Sequence, residues 1–222
     1  MDWPILVGLD EDLKRRVLAS GRLRRFARAE VVFHEGDPAD TFHLIAKGRF
    51  GIKVSTALGD TATLAVLGRG DFFGELALVG ENVRSATVVA LERSETLAIR
   101  RDDFDALRNE HPTVQAFLVQ VLVAQVRRLS AQVTEALYVS ADDRVLRRLN
   151  ALVPIYAGDA PKDAVEIPLT QEDLATMAGT SRATVNRVLG EAERAGIIAL
   201  GRMRVTVLDR AALGAKVGSS GR

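Results

Sequence analysis

The chain has 222 residues, 47% of them apolar and 27% charged, a balance that excludes disordered and collagen-like classes. It has no cysteine, which excludes disulfides, thiolate catalysis and cysteine-held zinc or iron–sulfur centres. Thirty basic side chains against 29 acidic ones leave a net charge of +1, so bulk charge neither favours nor excludes nucleic acid.

At the N-terminus, Met1-Asp-Trp-Pro4 followed by Asp10-Glu-Asp12 is unlike a secretory leader. No run approaches the roughly 18 to 20 apolar residues needed to cross a bilayer, so a cytoplasmic location is expected. Residues 28–100 then predict short strands at Glu30–Phe33, Phe42–Ala46, Phe50–Ser55, Thr61–Leu67, Ser85–Leu91 and Glu95–Ile99. Gly36, Gly48, Gly59, Gly68, Gly70, Gly74 and Gly80 punctuate them. With no room for crossover helices, the spacing predicts an antiparallel roll or barrel.

Inside this region, Asp71-Phe-Phe-Gly-Glu-Leu-Ala77 is followed after six residues by Arg84-Ser-Ala86. A short helix starting after Gly74 would offer backbone N–H groups, Arg84 a charged fork and Ser85 a hydroxyl, the donors a phosphate needs. Glu75 would repel a phosphate but can accept from a sugar hydroxyl, so the cassette describes a sugar phosphate. A bland alternative is a glycine turn with a Glu75–Arg84 surface ion pair.

From Pro112 to Tyr138 there is no glycine, and Val114, Phe117, Leu118, Val121, Leu122, Val126, Leu129, Val133 and Leu137 recur at three- and four-residue steps. One helix of about 40 Å is expected, longer than a small roll can cover, so a parallel homodimer seam is expected over 112–139. The alternative is packing within the chain. Ser140-Ala-Asp-Asp143 reads as a cap, placing a hinge at Leu137–Ser140. The next helix carries Val145, Leu146, Leu149, Leu152 and Val153 until Pro154 ends it, and Gly158–Asp163 is a loop.

Thr170-Gln-Glu-Asp173 caps a short helix through Ala178, Gly179 breaks it, and Thr180-Ser181 opens a second helix from Arg182 to Ala195. Ile197–Leu200 and Arg204–Leu208 then flank Gly201-Arg202 as a hairpin. The order predicts a winged helix-turn-helix. Residues 181–204 hold five arginines and two glutamates, a local excess of basic charge. Arg182 and Arg187 stand where a groove-reading helix presents donors to guanine O6 and N7, and Ser181 and Thr184 can serve phosphates. The plainer alternative is the solvated face of an ordinary helix. The predicted fold class is therefore α+β: a jelly-roll-like β-roll, a long helix and a C-terminal winged helix-turn-helix. Three scattered histidines, His34, His43 and His111, offer no metal site, and no nucleophile or paired-carboxylate motif marks an enzyme. Gly218-Ser-Ser-Gly-Arg222 reads as a frayed tail.

His34-Glu-Gly-Asp37, Lys47-Gly48, the Gly74-Glu-Leu-Ala77 to Arg84-Ser-Ala86 cassette, the long helix, Thr170-Gln-Glu-Asp173 and Ser181-Arg-Ala-Thr-Val-Asn-Arg187 together resemble the Crp/Fnr (cyclic AMP receptor protein) family over essentially the whole chain. The resemblance implies a cyclic-nucleotide-binding β-roll over 1–111, a dimerisation helix and hinge over 112–139, and a DNA-binding domain over 140–222. It implies a cyclic nucleotide, cAMP ahead of cGMP, as ligand. Glu75 would take the ribose hydroxyl, Arg84 and Ser85 the cyclic phosphate, with Gly74 and the Leu76 amide closing around it. Arg182 and Arg187 would read the major groove, supported by Thr170, Gln171, Ser181 and Thr184, and RNA polymerase is an implied partner. In two places the sequence departs from the family pattern. Leu129-Ser130 stands where a Thr-Ser pair touches adenine, leaving Ser130 as the remaining hydroxyl, and Ala183 replaces a groove-reading Glu. Leucine cannot accept from an exocyclic amine, so discrimination of the base is expected to weaken. A methyl at 183 reaches thymine but not cytosine N4. The alternative reading is a constitutive regulator of the same type with no nucleotide requirement.

Overall fold

The computed structural model describes residues 3–6, 9–55, 61–78, 80, 83–111, 113–157 and 164–219. Gly59, Pro112 and the expected loop Gly158–Asp163 lie outside them. The chain divides into two compact units, Met1–Thr61 with Ala65–Ser130 and Ala62–Leu64 with Ala131–Arg222.

The first unit opens with α1 (Glu11–Ser20), whose N-terminus is capped by the Asp10 carboxylate accepting from the Leu13 N–H at 2.8 Å. Strands β1 (Arg22–Phe26), β2 (Val31–Phe33), β3 (Thr41–Lys47), β4 (Phe50–Ser55), β5 (Thr61–Leu67), β6 (Phe72–Phe73), β7 (Thr87–Ala90) and β8 (Ser94–Arg100) follow. They form two four-stranded sheets, in the orders β1-β8-β3-β6 and β2-β7-β4-β5. Helices α2 (Arg101–Glu110) and α3 (Thr113–Tyr138) come next.

Strand β3 explains how this unit is held together. Its Ile45 joins Phe26, Phe50, Phe73, Val88 and Ala90 in the core between the sheets. Phe42, Leu44 and Ala46, alternating with it, face outward into a second core with Trp3, Leu13 and Val17 before and on α1, Phe104 on α2 and Val114, Leu118 and Val121 on α3. A strand covered on both faces needs apolar side chains at successive positions, which is why Phe42–Ala46 lacks clean alternation. The helices α1 and α2 and the short strands β1 and β6 were not among the predicted elements.

In the second unit, α4 (Ala141–Ala157) is followed by β9 (Val165–Ile167), α5 (Gln171–Ala178), α6 (Arg182–Arg194), β10 (Ile198–Gly201), β11 (Arg204–Val207) and α7 (Arg210–Ser219). The strands form one sheet in the order β10-β11-β9. The expected buried faces hold: Val145, Leu146, Leu149, Leu152 and Val153 on α4, and Val185, Val188, Leu189 and Ala192 on α6. Two expectations are corrected. Pro154 does not end α4, because it sits on the exposed side while Tyr156 and Ala157 beyond it are buried and hold the last turn onto the core. Gly218 and Ser219 belong to α7 rather than to a tail.

The hinge is braced. α3 ends at Tyr138 and α4 begins at Ala141, and the Arg144 guanidinium donates to the carbonyls of Val139 (2.8 Å), Ala178 (2.8 Å) and Gly179 (3.0 Å). Arg148 adds a bond to the Met177 carbonyl at 3.0 Å and an ion pair with Glu135. The end of α3, the hinge and the end of α5 are thereby tied through one face of α4.

Candidate anion pocket and DNA-reading surface

Gly74 follows β6 with φ +79°, and a Cβ there would lie 2.9 Å from both Arg84 Nη1 and the Thr41 carbonyl oxygen. Glycine is thus required for the left-handed backbone and for the close approach. The expected short helix after it is a single 3-10 turn, Glu75–Leu78, with the Ala77 N–H donating to the Gly74 carbonyl at 3.2 Å. The backbone at Arg84 is clamped by the turn His34–Asp37: the Arg84 N–H donates to the Asp37 carbonyl and the Gly36 N–H to the Arg84 carbonyl, both at 2.8 Å. The Asp37 carboxylate secures that turn by accepting from the His34 N–H at 2.7 Å.

The Arg84 side chain points inward and is only 5% exposed. Nη1 donates to the Thr41 carbonyl and Nη2 to Thr41 Oγ1, each at 2.7 Å, while Asp40 Oδ1 lies 3.4 Å from Nη2. Its carbon lies 3.9 Å from the centroid of the Phe33 ring, a cation–π contact. Among the described residues, its buried Nε has no hydrogen-bond partner. Burial pushes the guanidinium pKa below its ordinary value, and the carboxylates of Asp40, Asp37 and Glu75 pull it back. An arginine stays charged under such a shift, so a buried cation with a spare donor faces Glu75 and the Gly74 turn. That environment fits an anionic ligand bearing a hydroxyl. The surface ion pair of the bland reading does not describe it, because Arg84 is buried and its hydrogen bonds go to Thr41 and Asp40. Leu76 is half-buried on the same turn, and Ser85 is exposed immediately after Arg84. Ser130 is exposed on α3 and makes no hydrogen bond to the cassette among the described residues.

A second row of polar groups runs behind the guanidinium. His43 Nε2 is 3.2 Å from Thr41 Oγ1, and His43 Nδ1 is 3.0 Å from Thr96 Oγ1. The imidazole stacks on Phe73 at 4.8 Å and 10°. Burial first, then the charges of Arg84 and Arg24, lower its pKa from 6.5 to about 3, so the ring is neutral. Phe33, Thr41 and His43 were not among the predicted site residues. The stacking follows from strand register, since His43 faces Phe73 across the β3–β6 pairing.

In the second unit, Thr170 and Asp173 form a reciprocal capping box on α5, and Gly179 ends that helix at φ +59°. Ser181 caps α6 by accepting from the Thr184 N–H at 3.2 Å, and the two hydroxyls are 3.0 Å apart. Arg182, Thr170 and Gln171 line one groove of about 480 Å³ together with Leu200, Met203 and Arg204 of the wing. Arg187 lies one and a half turns further along α6. It is held in ion pairs with Asp142, at the start of α4, and with Glu191 at 3.2 Å. These hydrogen bonds raise its pKa, Asp142 contributing most. The two expected readers therefore differ: Arg182 opens onto the groove, and Arg187 already has carboxylate partners.

Comparison with known proteins matches a family model in each part of the chain. Residues 23–111 match the family model of the cyclic nucleotide-binding domain, and residues 143–216 that of the Crp-like helix-turn-helix domain. The chain is 31% identical to the Cyclic AMP receptor protein of Thermus thermophilus over 95% of its own length and 94% of that protein. It is 27% identical to the CRP-like cAMP-activated global transcriptional regulator of Mycobacterium tuberculosis over 83% of each chain. Its fold matches the crystal structure of the Thermus thermophilus Catabolite Activator Protein with a TM-score of 0.55, covering 98% of this chain and 100% of that one at 31% identity. The chain belongs to the Crp/Fnr family: it is a DNA-binding transcription regulator with a cyclic nucleotide-binding domain, not an enzyme.

Proposed function

We propose that the protein is a homodimeric, sequence-specific regulator whose DNA affinity is gated by a cyclic nucleotide, cAMP ahead of cGMP. The observation that carries this reading is the buried Arg84 guanidinium, its Nε unpartnered among the described residues, beside the Gly74 turn and the Glu75 carboxylate. Arg84 and Ser85 would take the cyclic phosphate, the turn at Gly74–Leu76 would close around it, Glu75 would accept from the ribose 2′-hydroxyl, and Ser130 would reach the base. The names of the relatives in Thermus and Mycobacterium support cAMP as the first candidate. Residues 1–111 would bind the nucleotide, 112–139 pair two protomers, and 140–222 read DNA through Arg182 and Arg187, with phosphate contacts from Thr170, Gln171, Ser181 and Thr184. Such a regulator works in the cytoplasm and acts on RNA polymerase.

The mechanism is a population shift. Two recognition helices must lie about 34 Å apart to engage successive major grooves, so a ligand that prefers the correctly spaced form raises affinity without altering a reading side chain. A 100-fold preference corresponds to about 2.7 kcal/mol of differential binding, within the range of a charge-assisted phosphate site. The test is calorimetry with both cyclic nucleotides, followed by affinity for an operator selected from a random pool, with and without ligand. Gating predicts tighter operator binding with nucleotide and loss of nucleotide binding in Arg84→Leu. Equal operator affinities would overturn gating and favour a constitutive regulator.

A further inference from the structure

The first unit buries polar side chains that no ligand contact accounts for. His43 is 3% exposed and Thr96 is 0% exposed, both deep in the roll. A buried polar group costs free energy unless satisfied, and these two are satisfied through each other and through Thr41. Thr41 in turn is the residue that grips Arg84 twice, by its carbonyl and by its hydroxyl.

We propose that Thr41, fixed from behind by His43, is the positioning residue that aims the Arg84 guanidinium at its anion. The proton count supports a directed chain. Thr41 Oγ1 accepts from Arg84 Nη2 and has one proton to give, with Asp40 Oδ1 at 3.1 Å and His43 Nε2 at 3.2 Å as candidates. A neutral imidazole protonated on Nε2 donates to Thr41 and accepts the Thr96 hydroxyl on Nδ1, which leaves the Thr41 proton for Asp40. Each donor then meets one acceptor. Two bonds to one residue fix the guanidinium in its plane, and Phe33 fixes its face. Of the five guanidinium N–H groups, two meet Thr41 and the second on Nη2 lies toward Asp40 Oδ1 at 3.4 Å, which leaves the one on Nε and the second on Nη1.

This inference rests on the cyclic-nucleotide reading of the pocket, and its test separates the two. Thr41→Val keeps the shape and removes the hydroxyl, Thr41→Ser keeps the hydroxyl, and His43→Phe keeps the ring on Phe73. The side-chain ¹⁵N–¹H signals of Arg84 are recorded in the full chain without ligand, and affinities for cAMP and cGMP are measured by calorimetry. Holding predicts slowly exchanging Arg84 Nη signals in the wild type that collapse in Thr41→Val. It also predicts affinity lower by about tenfold or more in Thr41→Val, within about threefold of wild type in Thr41→Ser, and intermediate in His43→Phe. Unchanged Arg84 signals in Thr41→Val overturn the proposal whatever the affinities. Equal losses in the Ser and Val variants also overturn it, since packing would then be the cause. If the wild type binds neither nucleotide while its Arg84 signals are protected and collapse in Thr41→Val, the positioning role stands and the nucleotide reading falls.

Discussion

His43 and Arg84 share one threonine hydroxyl in the roll, and burial, reinforced by the charges on Arg84 and Arg24, keeps the imidazole neutral. With the imidazole pKa near 3 in the fold and 6.5 in a solvated chain, the unfolded state takes up a proton the native state refuses. The resulting stability is fully present above pH 6.5 and is lost as pH falls toward 3; at pH 5 the loss is about 2 kcal/mol. Denaturant unfolding of wild type and His43→Phe at pH 7.5 and 5 checks this. The wild type should lose about 2 kcal/mol more than the variant over that interval, and equal losses would refute the assignment. Arg84, Gly74 and Glu75 were legible in the sequence because they sit in two short stretches with the residue types a sugar phosphate needs. Thr41 and His43 were not, because they reach the site only once β3 has paired with β6 and β8 in one register, and neither was Phe33, which arrives from β2 in the other sheet.

At the scale of elements, the two left-handed glycines next to the sites do different work. A Cβ on Gly179 would meet nothing within 4 Å, so Gly179→Ala is opposed by backbone conformation alone and should cost about 1 kcal/mol of stability, with nucleotide affinity unchanged. Gly74→Ala pushes into Arg84 Nη1 and the Thr41 carbonyl, and should remove nucleotide binding. Thermal unfolding and calorimetry on both variants separate the two costs. Caps and breakers made α5, Gly179 and α6 readable to within a residue, since Thr170, Asp173 and Ser181 act locally. Helices α1 and α2 were missed because their buried contacts are few, Leu13 and Val17 on one and Phe104 on the other, set among charged residues. Pro154 misled for the opposite reason, as distant packing of Tyr156 overrode a strong local signal.

For the molecule as a whole, α3 carries two apolar faces of different fate. Val114, Leu118 and Val121 are buried, whereas Val126 is 61%, Val133 58% and Leu137 69% exposed. A contiguous exposed stripe of this kind fits a partner surface, and a second copy of the chain is the occupant proposed above. Val126→Glu with Val133→Glu should yield monomers in sedimentation velocity and lower operator affinity by about 100-fold, because joined half-sites become independent. A variant that remains dimeric would place the seam elsewhere. The pairing of Arg187 with Asp142 extends the argument from assembly to affinity. A guanidinium already seated on a carboxylate gives up that seat only for a comparable one, and the guanine edge, with two acceptors side by side, is such a seat. For Arg187 as the proposed reader, the broken pair is a cost common to every site, so Asp142 lowers affinity throughout without sharpening the choice of base. Asp142→Asn should therefore tighten binding across a random pool, most visibly at low salt, and leave the recovered motif unchanged.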